Sequence, residues 1–91
     1  MIKSIRHKGL AELYREGTSR KVPNVLMRRI IGRLQSLHKA TDLQDMNVHG
    51  YDFHLLRGMP QRYSVHINGP WCITFEWRNG EAWNVDLEQY H

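Results

Sequence analysis

Cysteine is almost missing from this chain: Cys72 is the only one in 91 residues. No intrachain disulfide can form, and nothing asks for an oxidising compartment. Long apolar runs are missing as well. No stretch could span a bilayer, and the opening MIKSIRHKG lacks the apolar core of a signal peptide, so the expected location is cytoplasmic. No repeat, linker or low-complexity segment divides the sequence, which predicts one domain over residues 1–91. Metal chemistry has little to work with. His7, His38, His49, His54, His66 and His91 are scattered, and no paired acidic motif stands at ligand spacing, so neither a metal nor another cofactor is expected. A chain of this length can build one sheet with helices on one side but no deep internal cleft, so any site should be shallow and open.

Acids are scarce in the first part of the chain. Ten of the 13 Lys and Arg residues lie between Lys3 and Lys39, against Glu12 and Glu16 only, while the remainder holds 3 bases and 7 acids. The formal charge of +4 implies attraction to polyanions. Its concentration on Arg15, Arg20, Lys21, Arg28, Arg29, Arg33 and Lys39 suits phosphate contacts, which position a nucleic acid without reading its sequence, although a solvated helix face explains many of these residues equally well.

What is present is strong periodicity. Trp71, Ile73, Phe75 and Trp77 alternate with Cys72, Thr74 and Glu76, the pattern of a half-buried strand. Arg78-Asn79-Gly80 supplies the turn, since Asn-Gly tolerates positive φ at both central positions of a type I′ hairpin. Trp83, Val85 and Leu87 then resume the apolar alternation, and this parity assigns Trp71, Trp77 and Trp83 to the core rather than to a base-stacking platform. Upstream, Leu10, Leu13 and Tyr14 before Gly17 predict a short amphipathic helix with a left-handed glycine cap. Pro23 opens a second helix, whose stripe of Leu26, Ile30, Leu34 and Leu37 runs to about Ala40. Gly32 inside it marks either a close approach or open space. Thr41-Asp42 caps a further turn through Asp45. Strands are predicted at Ile2–Arg6, Asp52–Leu56 and Arg62–Ile67. The order is β-α-α-β-β-β-β, an α+β fold with a small antiparallel-rich sheet and two helices packed on one face.

MIKSIRHKGL, FHLLRG, WCITFEW-RNG-EAW and the terminal EQYH, in that order, resemble the HigB and GraT toxins of the RelE-like superfamily, over essentially the whole chain. The resemblance implies a small cytosolic, ribosome-dependent ribonuclease that cuts translated mRNA in the A site, with a HigA-like helix-turn-helix antitoxin as partner. Position by position it implies a catalytic set of His54, Arg57, Tyr90 and His91. Two positions depart from the pattern. Cys72 stands where such toxins carry arginine, and Gln89 where they carry aspartate. A second reading therefore stands beside the enzyme: the same fold kept chiefly as a binding module for antitoxin or ribosome.

Cutting RNA by 2′-hydroxyl attack needs a base, a group that stabilises the charged phosphorus centre, and an acid for the 5′-oxygen. Histidine can fill either proton role near neutral pH. His54 and His91 are expected to approach across the sheet, with Arg57 on the phosphate and Tyr90 positioning or stacking a base. Strand parity offers Arg62 and His66 as donors replacing the missing arginine. Arg28, Arg33 and Lys39 are the expected contacts to ribosomal RNA. Cys72 is read as a small strand residue, since a nucleophilic thiolate would need an activating base in reach. Asp86 and Glu88, near the active face, would repel the substrate.

Overall fold

The computed structural model describes residues 1–90. Helix α1 spans Lys8–Glu16 and helix α2 Met27–Lys39, the latter flanked by short 3-10 turns, Asn24–Leu26 before it and Leu43–Met46 after it. Four strands follow, β1 (His54–Leu56), β2 (Arg62–Asn68), β3 (Trp71–Arg78) and β4 (Glu81–Gln89), forming one antiparallel sheet in sequence order.

Local chemistry explains the helix limits. The His7 ring accepts a hydrogen bond from the Leu10 N–H at 3.1 Å and so caps α1. At the other end Gly17 adopts φ 80° and donates its N–H to Leu13 O, the left-handed stop that the sequence signals. In the turn after α2, Asp42 and Asp45 bind each other's backbone N–H groups reciprocally. The predicted stripe of Leu26, Ile30, Leu34 and Leu37 is buried, and with Leu10 and Leu13 it meets Val65, Ile67, Ile73, Phe75, Val85 and Leu87 of the sheet in one core. Each such aliphatic side chain contributes about 1.5–3 kcal/mol through removal from water. Both helices pack on this face, leaving the opposite face of the sheet uncovered by helix.

The hairpin between β3 and β4 turns at Asn79 (φ 53°) and Gly80 (φ 75°), positive at both positions as a type I′ turn requires. Three expectations are corrected. The Ile2–Arg6 strand is reduced to isolated parallel bridges from Ile2 to Ala82 and Ile5 to Val85. The first predicted sheet strand begins at His54, because Asp52 takes φ 46° and breaks the extended run. Trp83 is not with the core residues. Asn84 at φ 49° inserts one extra residue into β4, so pairing moves from Thr74↔Asp86 to Glu76↔Trp83, and Ala82 takes the inward place that parity had given to Trp83. The Trp83 indole lies under the Arg78 guanidinium instead, 4.3 Å from ring centroid to Cζ. The bulge also explains the broken N-terminal pairing. The Asn84 N–H donates to Ser4 Oγ at 2.8 Å rather than entering a ladder, while Lys3 and Arg6 donate to Ala82 O and Val85 O on either side.

Candidate active site on the open face of the sheet

The register fixes which side chains share the uncovered face. Residues directly opposite one another project to the same side, so His54, Ser64, Thr74 and Asp86 form one row across all four strands, and His66, Cys72 and Glu88 form a second. Arg62 and Glu76 belong to this face as well. Its middle is far from bare: Ser64 and Thr74 are fully buried and Glu76 is only 7% exposed, because long charged side chains lie across them. Ser64 Oγ has no hydrogen-bond partner among the described residues.

Arg62 organises the face. Its guanidinium donates to Glu76 Oε2 at 3.1 Å, to Thr74 Oγ1 at 2.9 Å and to the Asn84 carbonyl at 2.9 Å. Glu76 accepts additionally from Asn84 Nδ2 at 2.9 Å, with Arg6 and Arg78 each 3.9 Å away. The Asn84 hydrogen bond, then the Arg62 and Arg78 charges, hold the Glu76 carboxyl below its usual range despite burial. Asp86 pairs with Arg6 at 3.7 Å, and Glu88 accepts hydroxyl protons from Thr74 and Tyr90. The acids that would repel RNA are thereby paired or hydrogen-bonded. The N-terminal segment, bridged to β4, brings Arg6 to Glu76 and Asp86, about 70 and 80 positions away in sequence.

The other expected site residues are placed as follows. His54 is exposed on β1, its Nδ1 2.8 Å from the Asp52 carbonyl; that oxygen only accepts, so Nδ1 carries the proton and Nε2 is left as the free nitrogen when the ring is neutral. Arg57 is exposed in the loop after β1 and donates no hydrogen bond among the described residues. His66 Nε2 lies 2.9 Å from Gly69 O, at the turn into β3. Tyr90 is 44% exposed, and its backbone N–H donates to Pro70 O at 2.7 Å, which continues the β3–β4 pairing to the end of the described chain. Burial, then the neighbouring Glu88 charge, raises the Tyr90 phenol above 10.0, so it is a neutral hydroxyl at physiological pH. His91 lies outside the described residues. Neighbouring strands are about 4.8 Å apart, so β1 and β4 are separated by roughly 14 Å.

Cys72 is 7% exposed beside His66, with Pro70 O 3.9 Å from its sulfur. It behaves as a small buried strand residue, and it places no charge at the centre of the face. Arg28, Arg33 and Lys39 lie on α2, on the other side of the sheet from these groups. Arg28 and Lys39 are exposed. Arg33 is engaged: its Nε donates to His66 O at 3.0 Å and its guanidinium lies 4.3 Å over the Tyr51 ring. Burial, and secondarily the charge of Arg29, draws the Arg33 pKa below the ordinary arginine value. Arg29 similarly donates to Ile67 O at 3.2 Å, and Tyr51 O accepts from His66 N. Since β1 covers only Arg62–Ser64 of β2, these contacts satisfy the β2 edge that β1 leaves unpaired. Sequence patterning could flag both arginines as basic, but not as edge partners. The Thr74–Glu88–Tyr90 cluster escaped it for the same reason. A groove of about 510 Å³ lined by Leu13, Tyr14, Ile31, Leu34 and His38 lies between the helices, remote from this face.

The candidate site is therefore an open, hydrogen-bonded sheet face with a histidine at one edge and a tyrosine at the chain end, the kind of surface that accepts a single polynucleotide strand rather than a small enclosed substrate. Among the described residues no helix is long and apolar enough to cross a membrane. Comparison with known proteins places this arrangement. Residues 3–91 match the family described as RelE-like toxin of type II toxin-antitoxin system HigB. The chain is also similar to the endoribonuclease HigB of Proteus vulgaris, at 39% identity over 92 residues that cover all of both proteins. Full-length likeness at that level, on the expected α+β framework, makes this chain a member of the HigB-like family, the RelE-like toxins of type II toxin-antitoxin systems.

Proposed function

We propose that the chain is an endoribonuclease that arrests translation by cutting mRNA on the ribosome, using proton transfer and electrostatics from its own side chains. The observation that carries this reading is the uncovered sheet face, where His54, Arg62, His66 and Tyr90 stand on one side and Glu76, Asp86 and Glu88 are each paired or hydrogen-bonded. A 2′-hydroxyl attacks the adjacent phosphorus, the P–O5′ bond breaks, and one proton leaves the 2′-oxygen as another reaches the 5′-oxygen. His54, with its free Nε2 facing solvent, is one proton-transfer group, and His91 is assigned the complementary role. Arg57 is assigned to the phosphate. Arg62 has three of its five donors committed within the protein, so it chiefly sets the potential of the face, while His66 lies at its margin. Tyr90, neutral and half-exposed, contacts the sugar or stacks a base.

An open site with few substrate-holding groups gains most from a template that fixes the RNA in an attacking geometry, which is the physical case for ribosome dependence. Arg28 and Lys39 are the proposed contacts to ribosomal RNA, acting from the helical side. The antitoxin expected for a chain of this family is proposed to be a HigA-like helix-turn-helix protein, and the setting cytoplasmic. One observation favours the binding-module alternative: position 72 supplies a buried thiol and no cation. Cleavage of mRNA in a reconstituted translation reaction decides between them. Wild type is expected to cut only with ribosomes present, and His54→Ala and His91→Ala to lose at least a hundredfold in rate, by analogy with the 10²–10⁴-fold contribution of a general acid or base. A folded, ribosome-bound wild type that leaves mRNA intact would establish the binding module instead.

A further inference from the structure

The open face contains a chain of contacts that the proposed reaction does not by itself require. Arg62 donates to Thr74 Oγ1 at 2.9 Å. A guanidinium can only donate, so the threonine oxygen accepts there and its single proton is free to go elsewhere. It goes to Glu88 Oε2, and the same carboxylate oxygen accepts the Tyr90 phenolic O–H at 3.2 Å. Thr74 is fully buried and Arg62 is anchored on Glu76, so the series runs without a break from the interior of the sheet to the chain end. Neighbouring polar residues do not share this task. Asp86 is occupied by Arg6 and by the Leu87 N–H, and Gln89 is exposed at the position opposite Trp71.

We propose that Glu88 is a positioning residue of the active site: held by Thr74 and Arg62, it accepts the Tyr90 phenolic proton and thereby fixes both the rotamer of Tyr90 and the direction of its O–H. This rests on the endoribonuclease reading. The consequence is specific. With its proton directed inward along the sheet, Tyr90 presents its ring and the oxygen lone pairs to the RNA, so it receives a hydrogen bond from the ribose or stacks on a base, and does not donate to the phosphate. The backbone bond from Tyr90 to Pro70 fixes where the residue begins, and Glu88 fixes where its side chain ends.

The test combines two readouts on Glu88→Ala, Glu88→Gln, Glu88→Asp and Thr74→Val. Tyrosines labelled at Cζ are titrated by NMR, with Tyr90→Phe identifying the Tyr90 signal among the 4 tyrosines. Initial rates of ribosome-dependent cleavage give kcat and KM. In Glu88→Ala the Tyr90 midpoint should fall back toward 10.0, and Thr74→Val should move it the same way. kcat should drop roughly tenfold to a hundredfold, the scale expected for a misplaced reacting group, with KM little changed. Glu88→Asp should recover part of the loss, and Glu88→Gln, which can still accept from Tyr90, should lose less than Glu88→Ala. An unmoved Tyr90 midpoint in folded Glu88→Ala overturns the contact. A moved midpoint with unaltered kcat overturns the positioning role. Wild type that fails to cleave overturns the endoribonuclease reading itself, a result separable from the other two because the titration needs no RNA.

Discussion

Replacing Arg62 by alanine should be among the most costly single changes on the open face. The substitution removes three hydrogen bonds of 2.9–3.1 Å from a guanidinium only 15% exposed, and strips the main cation from a carboxylate whose side chain is 9% exposed. Hydrogen bonds to charged groups contribute about 1.5–3 kcal/mol net, and removing one partner of a buried pair typically costs about 3–5 kcal/mol. Glu76 retains Asn84 Nδ2 at 2.9 Å and two arginines at 3.9 Å, so the lower end applies. We expect about 3 kcal/mol, which for a chain of this size lowers Tm by roughly 12–24 °C. Urea and thermal unfolding followed by circular dichroism measure it. Glu76→Gln supplies the control: against neutral glutamine the cost of Arg62→Ala should fall by half or more. Acid supplies a second. Because the Glu76 pKa is lowered on folding, its pairing contributes fully above 4.5 and is lost as pH falls through the lowered value, so the wild type–variant difference should narrow in acid. A cost below about 0.5 kcal/mol at neutral pH, or one equal in the Glu76→Gln background, would refute the assignment of Arg62 as organiser of the face.

Two glycines should respond oppositely to alanine. At Gly9 a Cβ would lie 2.8 Å from the capping His7 ring and 2.9 Å from Val22, so Gly9→Ala should destabilise by about 1–3 kcal/mol; at Gly32, inside α2, nothing lies within 4 Å, and Gly32→Ala should stabilise by about 0.5–1 kcal/mol, both read from urea midpoints. The arginines of α2 should separate by readout. Arg33→Ala removes the partner of His66 O and should lower stability by about 1–3 kcal/mol, whereas exposed Arg28→Ala should leave the unfolding curve unchanged and reduce the salt slope of ribosome binding by roughly 1.

Much of the architecture was legible in the sequence because it is written in local periods. Apolar spacing of three and four marked both helices, Gly17 their first stop, and Asn79-Gly80 the hairpin, since each reports the backbone preference of the residues concerned. Strand parity likewise put Arg62, His66 and Cys72 on a common face. Parity fails, however, where a strand changes count. Asn84 looks like any polar strand residue, yet its left-handed φ inserts a bulge that turns Trp83 off the core and gives the N-terminal segment a place to bond. The composition gradient gave warning of an RNA-attracting half and a repelling one; it could not tell that Arg6 would close on Asp86 and approach Glu76, some 70 to 80 positions away.

The same limit governs the site. Sequence by itself determined the fold class and the family resemblance and nominated the residues proposed for proton transfer, because residue type and spacing are properties of the chain. Which of them are free to act was decided only by the tertiary structure. Arg33 and Arg29 are spent on the edge of β2 that the three-residue β1 leaves open, Arg62 on Glu76 and Thr74, and Glu88 on Tyr90. A donor's availability depends on the acceptors brought to it across the sheet, and those are fixed by register and bulges that no local pattern records.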